Sequence, residues 1–296
     1  MTPFVESNDI RDNDQALRDR ADRDGYLFFR DFVDADPILE ARRDITATLQ
    51  TVDWIDEGTD PFEAITSHPA HVSGEKEFSP VYDMIQRIES FHTLAHNEGL
   101  FNIVEALLGP DVLLQPSNIA RTIFPTKLDH TTPPHQDYVH IQGTSDVWTA
   151  WIPLGDCPRQ LGGLSVLTGS HKAGILPVSR SLGAGGARSD TRSVGAEWVS
   201  SPFNLGDMLF FHSHTVHQGL PNRSGNRLRL SVDYRYQRAS DPVMELVLTP
   251  HQGRLSWEQV YEGWKSDKYQ FHWQNFSLNP VPKQVWPVEE ATEQTK

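Results

Sequence analysis

The chain is short of cysteine, of basic residues and of long apolar runs. It contains one cysteine in 296 residues, which excludes an internal disulfide framework and is typical of a reducing compartment. Basic residues number 26 against 40 acidic ones, a net charge of −14, and this deficit argues against a nucleic-acid or anionic-membrane partner. No apolar run approaches the roughly 18 residues of a transmembrane helix.

Two further absences concern targeting and thiol chemistry. Residues 1–15 are polar and acidic, with no basic start and no apolar segment, so a secretory signal peptide is not expected. Cys157 stands in the segment GDCPRQ without a second thiol or an obvious base, which favours a structural role over a nucleophilic one. We therefore expect a cytoplasmic protein of one domain, residues 1–296, and its oligomeric state stays open.

Hydrophobic patterns predict that the first region, residues 1–110, is mostly helical. Ala41, Ile45 and Leu49 share one face of a predicted helix, whereas residues 25–33 read as a short buried strand. A second apolar stripe at helical spacing is formed by Val81, Met84, Ile85, Ile88, Phe91 and Leu94.

The pattern changes in residues 111–240. Short β-favouring runs follow one another there, separated by Pro, Gly, Asn and Asp and without helical patterns between them. Such a series predicts an antiparallel sandwich or barrel. In the last region, residues 241–296, Ser256 and Gln259 have capping-box spacing at the start of an aromatic-rich helix.

Two segments lack a clear period. Residues 52–78 are predicted to be loop. Residues 179–195 are rich in glycine and serine, which indicates a mobile loop too small in side-chain volume to pack, and a candidate lid.

The segment TTPPHQDYVH, residues 131–140, places two imidazoles and a carboxylate close together. In a strand, side chains two positions apart project to one face, so His135 and Asp137 would project together and His140 would not. A third ligand from a distant strand would complete the two-histidine, one-carboxylate set of non-haem Fe(II) oxygenases. The H-x-D tripeptide alone is a weak signal.

Candidates for the third ligand are His212, His214 and His217, and the periodicity does not choose among them. The segment that follows alternates a polar with an apolar face, so one face is buried against an apolar layer. Buried arginines on the polar face need anionic partners, either a neighbouring carboxylate or a small dicarboxylate ligand. The polar face consists of Arg227, Arg229, Ser231, Asp233 and Arg235, and the apolar face of Leu228, Leu230 and Val232.

Four segments occur in a fixed order between residues 101 and 237. They are PPHQDYVH, WTAWIPLGDCPRQLGGLSVLTGSHKAG, GDMLFFHSHTVHQGLPNRSG and RLRLSVDYRYQ. This order resembles the phytanoyl-CoA dioxygenase family of Fe(II)- and 2-oxoglutarate-dependent oxygenases. The resemblance implies a mainly β protein with flanking helices and a double-stranded β-helix core, also called a jelly roll and similar to the cupins. It also implies Fe(II), 2-oxoglutarate and O₂ as cofactor and co-substrates.

The resemblance assigns the metal ligands. His135 and Asp137 match the H-x-D ligands of the family, and His217 matches the distal histidine because it precedes Asn222 and Ser224 at the family's spacing. His212 and His214 then become structural residues. His140 does too, although it is also a candidate for contacts with the metal ligands or the substrate.

The resemblance also points to the co-substrate site. Trp151 matches an aromatic residue that borders 2-oxoglutarate in the family, and Thr149 shares its strand face. The family's arginine for 2-oxoglutarate stands about eleven residues after the distal histidine, but Leu228 occupies that position here. Arg229 is preferred over Arg227 because it lies deeper in the predicted strand, and both remain candidates.

The reaction expected from the resemblance is oxidation of an unactivated C–H bond of a small molecule, with formation of succinate and CO₂. Asp137 favours hydroxylation over halogenation, because halogenating relatives lack this carboxylate. Desaturation and ring formation remain open, and the primary substrate is not predicted. The alternative is a non-catalytic sensor or carrier of the same fold. Four basic residues are equally candidates for the pocket mouth and for the solvated surface: Arg121, Arg159, Lys172 and Arg180.

Overall fold

The computed structural model describes residues 1–288, which form two facing antiparallel sheets with helices packed outside the larger sheet. The strands, in chain order, are β1 (Tyr26–Phe29), β2 (Val112–Leu114), β3 (Ile119–Ile123), β4 (Trp148–Pro153), β5 (Leu164–Leu167), β6 (Val178–Arg180), β7 (Ala187–Ser189), β8 (Trp198–Val199), β9 (Met208–His212), β10 (His217–Gly219), β11 (Arg229–Arg238), β12 (Pro242–Met244) and β13 (Asn279–Val281).

The larger sheet has the strand order β1-β9-β4-β11-β2, and β3 also pairs with β11. All of these pairs are antiparallel. The smaller sheet has the order β10-β5-β8 and is antiparallel as well. Two short pairs complete the strands, the β6-β7 hairpin and the parallel pair of β12 with β13.

The ten-residue strand β11 is the centre of the larger sheet and shows the predicted alternation. Leu230, Val232, Tyr234 and Tyr236 belong to the core between this sheet and the helices. The hydroxyls of Tyr234 and Tyr236 donate hydrogen bonds to the carbonyls of Phe91 (2.6 Å) and Ala95 (2.7 Å), which tie helical segments to the sheet. The opposite face of β11 therefore points between the two sheets, where its polar residues form the site.

The helices are α1 (Asp14–Asp24), α2 (Ala35–Gln50), α3 (Phe78–Ile85), α4 (Glu89–Thr93), α5 (Glu98–Leu108) and α6 (Trp257–Tyr261). The predicted stripe from residue 81 to residue 94 is divided among α3, α4 and a 3-10 turn that begins at Leu94, with extended backbone at Ile88 between the two helices. The predicted capping box at Ser256 and Gln259 is present at the start of α6. Among residues 1–288, no helix is long and apolar enough to cross a membrane.

The glycine-rich segment 179–195 packs more closely than predicted. It contains most of the β6-β7 hairpin, and the backbone N–H of Ser189 donates to the carbonyl of Pro134 (2.8 Å). At Gly185, with φ +85°, a Cβ atom would lie 2.9 Å from Nε2 of His140. The prediction that this segment is too small to pack was wrong, since glycine permits a close approach of backbone to neighbouring side chains.

Candidate active site

His135, Asp137 and His217 lie together between the two sheets, and all three are buried. Nε2 of His135 is 3.6 Å from Oδ1 of Asp137, and Nε2 of His217 is 3.7 Å from the same oxygen. One donor atom from each residue lies within 4.8 Å of the others. The structure therefore brings together the three residues that the sequence singled out, in a geometry that could hold one metal ion.

The backbone joins the two histidines directly. The N–H of His135 donates to the carbonyl of His217 (2.9 Å), and the N–H of His217 donates to the carbonyl of His135 (3.0 Å). This exchange of two hydrogen bonds is that of an antiparallel pair. It fixes the two imidazoles side by side, with ring centroids 4.2 Å apart.

The sequence suggested that the H-x-D tripeptide lies on one regular strand. In the structure it does not. His135 makes an isolated bridge, whereas Asp137 begins a short 3-10 helix, Asp137–Val139. Gln136 is fully buried between them and donates to the carbonyls of Gly174 (2.8 Å) and His214 (2.7 Å). Sequence reasoning missed this anchor, because both acceptors come from distant parts of the chain.

Hydrogen bonds hold the three side chains in an orientation suited to a metal. Nδ1 of His135 contacts the carbonyl of Pro133 (2.9 Å), and Nδ1 of His217 contacts that of Thr215 (3.1 Å). Carbonyls at Nδ1 select the tautomer that leaves Nε2 free, the arrangement usual for metal-binding histidines. The donor set and its orientation therefore fit a divalent iron ion.

The carboxylate of Asp137 is held by its other oxygen. Oδ2 accepts hydrogen bonds from Oγ1 of Thr149 (2.8 Å) and from Nε (3.2 Å) and Nη2 (3.1 Å) of Arg235. Oδ1 faces the two imidazoles. Thr149 thus contacts a candidate ligand, and the role of Arg235 was not assigned from the sequence, although its strand face was.

The charges of the site favour the forms that bind metal. Burial alone would raise the pKa of the Asp137 carboxyl, but the charge of Arg235 holds that pKa well below its usual range. Burial, together with the neighbouring His135, lowers the pKa of His217 to about 3. At neutral pH Asp137 is an anion and His217 is neutral, and these are the protonation states that a metal ion requires.

Arg229 is buried on the inner face of β11 and has no carboxylate partner among residues 1–288. Its Nη1 donates to the carbonyls of Gly163 (3.0 Å) and Leu220 (3.3 Å), and its Nε has no hydrogen-bond partner in the described part of the chain. Nε1 of Trp151 and Oγ of Ser231 on the same face also lack hydrogen-bond partners among the described residues. Buried polar groups are normally satisfied, so this set fits an anionic ligand such as the far carboxylate of 2-oxoglutarate.

Arg227 lies elsewhere. Its Nη2 is 3.0 Å from Oε2 of Glu63, and its side chain is partly exposed. The predicted alternation extended to Arg227, but β11 begins at Arg229, and the backbone before it pairs with the loop at Ala64. The structure therefore does not bring Arg227 to the inner face.

The other histidines that the sequence offered near the site, His212, His214 and His140, lie outside the triad. His212 and His214 are neighbours with ring centroids 5.3 Å apart, and His214 packs edge-on against Tyr138. The ring of His140 lies 6.0 Å from that of His135, and its Nε2 has no hydrogen-bond partner within residues 1–288.

A cavity of about 530 Å³ opens onto the triad from the side of His135 and Asp137. Its volume is within the range of small-molecule sites. Arg121 lines this cavity, whereas Arg159, Lys172 and Arg180 do not. Arg229 and Trp151 are also outside its lining.

The model of the phytanoyl-CoA dioxygenase family (PhyH) matches residues 21–230. The chain belongs to this family. It is an Fe(II)- and 2-oxoglutarate-dependent oxygenase, which confirms the expected enzyme class and cofactors. The expected mainly β fold with a jelly-roll core is confirmed as well.

Two curated relatives are similar over most of their length. Both are 1-deoxypentalenic acid 11-beta-hydroxylases, one from Streptomyces exfoliatus and one from Streptomyces arenae. Each is 27% identical to this chain, and each match covers 84% of this chain and 90% of the relative.

Solved structures share the fold at lower identity. The non-heme alpha ketoglutarate dependent epimerase SnoN from nogalamycin biosynthesis has a TM-score of 0.54 at 21% identity, covering 77% of this chain and 84% of that one. The carbocyclase SnoK from the same biosynthesis has a TM-score of 0.53 at 19% identity, covering 98% of this chain and 100% of that one.

Proposed function

We propose that this oxygenase hydroxylates an unactivated C–H bond of a small molecule and forms succinate and CO₂ from 2-oxoglutarate. The observation that carries the proposal is the buried triad in which Thr149 and Arg235 hold one oxygen of Asp137 and leave the other facing two imidazoles. Iron held by His135, Asp137 and His217, together with 2-oxoglutarate and O₂, supplies the oxidising chemistry.

The protein's own residues orient and enclose the reactants. Pro133 and Thr215 hold the two imidazoles through their carbonyls, and Arg235 and Thr149 hold the carboxylate. Arg229 binds the far carboxylate of 2-oxoglutarate, because a buried guanidinium without a carboxylate partner is stabilised by an anionic ligand.

Trp151 borders the co-substrate beside Arg229. Its indole is buried on the inner face of β4, and its Nε1 is free to donate. Arg227 has no part in this pocket, since it pairs with Glu63 outside the inner face. These roles deepen the assignment made from the sequence.

Hydroxylation is proposed over other outcomes for two reasons. A carboxylate stands at position 137, and the curated relatives are named as hydroxylases. One structural neighbour is a carbocyclase, so ring closure at the same site is the second candidate. The substrate is a small molecule, taken from the cavity of about 530 Å³, and we place the enzyme in the cytoplasm because its one cysteine is free.

An anaerobic titration of metal-free protein with Fe(II) and then 2-oxoglutarate tests the proposal. We expect a weak, saturable visible charge-transfer band, and its loss in His135→Ala and Asp137→Ala. His212→Gln is the matched control, since it removes a nearby histidine outside the triad and should keep the band. A folded, iron-loaded protein without the band would favour the alternative of a non-catalytic sensor or carrier.

A further inference from the structure

The cavity beside the triad is basic in a protein that is acidic overall. Its lining contains four basic side chains, Arg121, Lys127, Arg235 and Lys283, but only one acidic side chain, Asp137. The whole chain has 40 acidic and 26 basic residues, so the lining reverses the average composition. Three of the four basic side chains are paired with carboxylates, and Lys283 has no ion pair within residues 1–288, so the lining with its partners keeps a small positive charge that favours anionic ligands.

Arg121 and Arg235 both lie against the carboxylate of Asp233, and each keeps an N–H group that this contact does not use. Arg121 donates through Nε (2.8 Å) and Nη2 (2.5 Å) to Oδ2 of Asp233, and Nη2 of Arg235 lies 3.8 Å from the same oxygen. Arg235 donates through Nε and Nη2 to Asp137. Both guanidinium groups therefore face their internal partners with Nε and Nη2 only.

The remaining nitrogen of Arg235 is the strongest sign of a ligand. The side chain is 4% exposed, and its Nη1 has no hydrogen-bond partner in the described part of the chain. The Arg121 side chain is 20% exposed, and its Nη1 makes no hydrogen bond within residues 1–288. A guanidinium has five N–H donors, and burying one of them without a partner is costly, so Nη1 of Arg235 indicates an acceptor from outside the protein.

The nearby histidines do not supply competing charge. Burial, followed by the charges of Arg235 and Arg121, lowers the pKa of His251 to about 3, and its Nδ1 is 2.6 Å from the hydroxyl of Tyr82. Burial and the neighbouring His135 lower the pKa of His140 to about 4. Both rings are neutral at pH 7 and add no charge to the cavity.

Part of the wall is apolar. Phe78, Ile119, Phe124, Leu246 and Val247 are among the residues that line it. Lys127 is paired with Glu75 and is therefore compensated. The cavity combines one cationic region near the metal ligands with an apolar surface for the rest of a ligand.

We propose that the substrate is an apolar carboxylic acid, whose carboxylate is bound by Arg121 and Arg235 and whose apolar frame lies against the wall that includes Phe78 and Val247. This inference rests on the proposed function, because it names the substrate class of the same site. Arg121 and Arg235 are specificity-determining residues in this arrangement, and Lys283 attracts the acid at the cavity's edge.

The first test uses two fluorescent probes with one frame. 8-Anilinonaphthalene-1-sulfonate is apolar with one anionic group, and N-phenyl-1-naphthylamine is the same frame without it. On the Fe(II) and 2-oxoglutarate complex under anaerobic conditions, we expect the anionic probe to bind about tenfold more tightly or better, the effect of one charge-assisted hydrogen bond. Equal binding, or no binding of either probe, would overturn the proposal.

The second test identifies the anionic group as a carboxylate. 1-Adamantanecarboxylate and 1-adamantanecarboxamide have the same frame and differ in charge. We expect the acid to displace the bound anionic probe at a concentration about tenfold lower than the amide does. If acid and amide compete equally, the site selects sulfonates or apolar frames rather than carboxylic acids, and the proposed class is wrong.

Variants locate the binding. Arg121→Gln should reduce the preference for the anionic probe by about tenfold, and Arg121→Gln with Asp233→Asn should do the same without leaving a buried unpaired carboxylate. Lys283→Gln is exposed and leaves the core intact, and we expect a smaller loss of about threefold, as for a solvated charge. Arg87→Gln, which removes a surface partner of Glu262, is the matched control and should change nothing. An unchanged preference in the folded Arg121 variants would contradict the assignment.

The charge-transfer band separates this inference from the proposed function. Arg121 does not contact the triad ligands through any hydrogen bond or ion pair within residues 1–288, so its variants should retain the band with Fe(II) and 2-oxoglutarate. A normal band with no discrimination between the probes defeats the inference alone. Absence of the band in the wild type defeats the proposed function.

Discussion

Arg235 donates two hydrogen bonds to Oδ2 of Asp137, through Nε at 3.2 Å and Nη2 at 3.1 Å. Both side chains are 4% exposed. Since Oδ1 of the same carboxylate faces the two histidines, the arginine fixes the direction in which Asp137 offers its free oxygen. Contacts of this kind to a metal ligand orient it and tune its affinity.

We expect Arg235→Gln to weaken metal binding by about 10- to 100-fold, the usual effect of removing a partner of a metal ligand. Anaerobic titration with Fe(II) or Co(II) measures the dissociation constant. Arg87→Gln, on the surface, serves as the control for loss of one positive charge. Wild-type affinity in Arg235→Gln would mean that Thr149 alone is sufficient to hold Asp137.

Thr149 is the second support of the same oxygen, with its hydroxyl 2.8 Å from Oδ2. Thr149→Val keeps the shape of the side chain but removes the donor, so we expect metal binding to weaken by about tenfold. Thr149→Ser retains the hydroxyl and should bind metal nearly as the wild type does. Equal losses in both variants would show that packing of the methyl group, rather than the hydrogen bond, matters.

The regular alternation of β11 could be predicted from the sequence because side chains of a strand point to opposite faces in turn. That rule alone predicts that Leu230 and Val232 lie on the opposite face of the strand from Arg229 and Asp233, and they do. The proposed distal ligand, His217, could not be chosen by periodicity. It was identified by the resemblance in the segments around it.

Long-range contacts could not be predicted from the sequence. Nothing near Gln136 indicates that its side chain joins Gly174 and His214, and nothing near Arg235 indicates that its partner is Asp137, 98 positions away. The place of Arg227 depends on the residue at which β11 begins, and strand ends are poorly marked in a sequence. Glycine content suggested an unpacked loop at 179–195, whereas close packing is another use of glycine.

The choice between Arg229 and Arg227 leads to a direct prediction. In Arg229→Gln, we expect the dissociation constant of 2-oxoglutarate from the Fe(II) enzyme to rise by about 10- to 100-fold, because a charge-assisted hydrogen bond is lost. Arg229→Lys keeps the charge without the planar fork and should be intermediate. Arg227→Gln should bind as the wild type does, since Arg227 pairs with Glu63. The reverse ranking would reassign the site to Arg227.

His92 makes stability depend on pH. Its Nε2 contacts the carbonyl of Gln86 (2.9 Å), its Nδ1 contacts Nδ2 of Asn118 (3.1 Å), and burial lowers its pKa to about 4. Because its pKa is lowered in the folded state, a histidine makes its full contribution to stability above its unfolded-state pKa of about 6.5. This contribution is lost as the pH falls toward 4.

Between pH 7.5 and pH 5, we therefore expect the wild type to lose roughly 2 kcal/mol more free energy of unfolding than His92→Gln does. Urea unfolding of both proteins at the two pH values measures the difference. Each protein is compared with itself at pH 7.5, so any loss of stability from altered packing in the variant cancels. Parallel pH dependence in the two proteins would mean that His92 is not held neutral by its burial. The acid sensitivity of the fold would then have to come from other buried groups, such as His251.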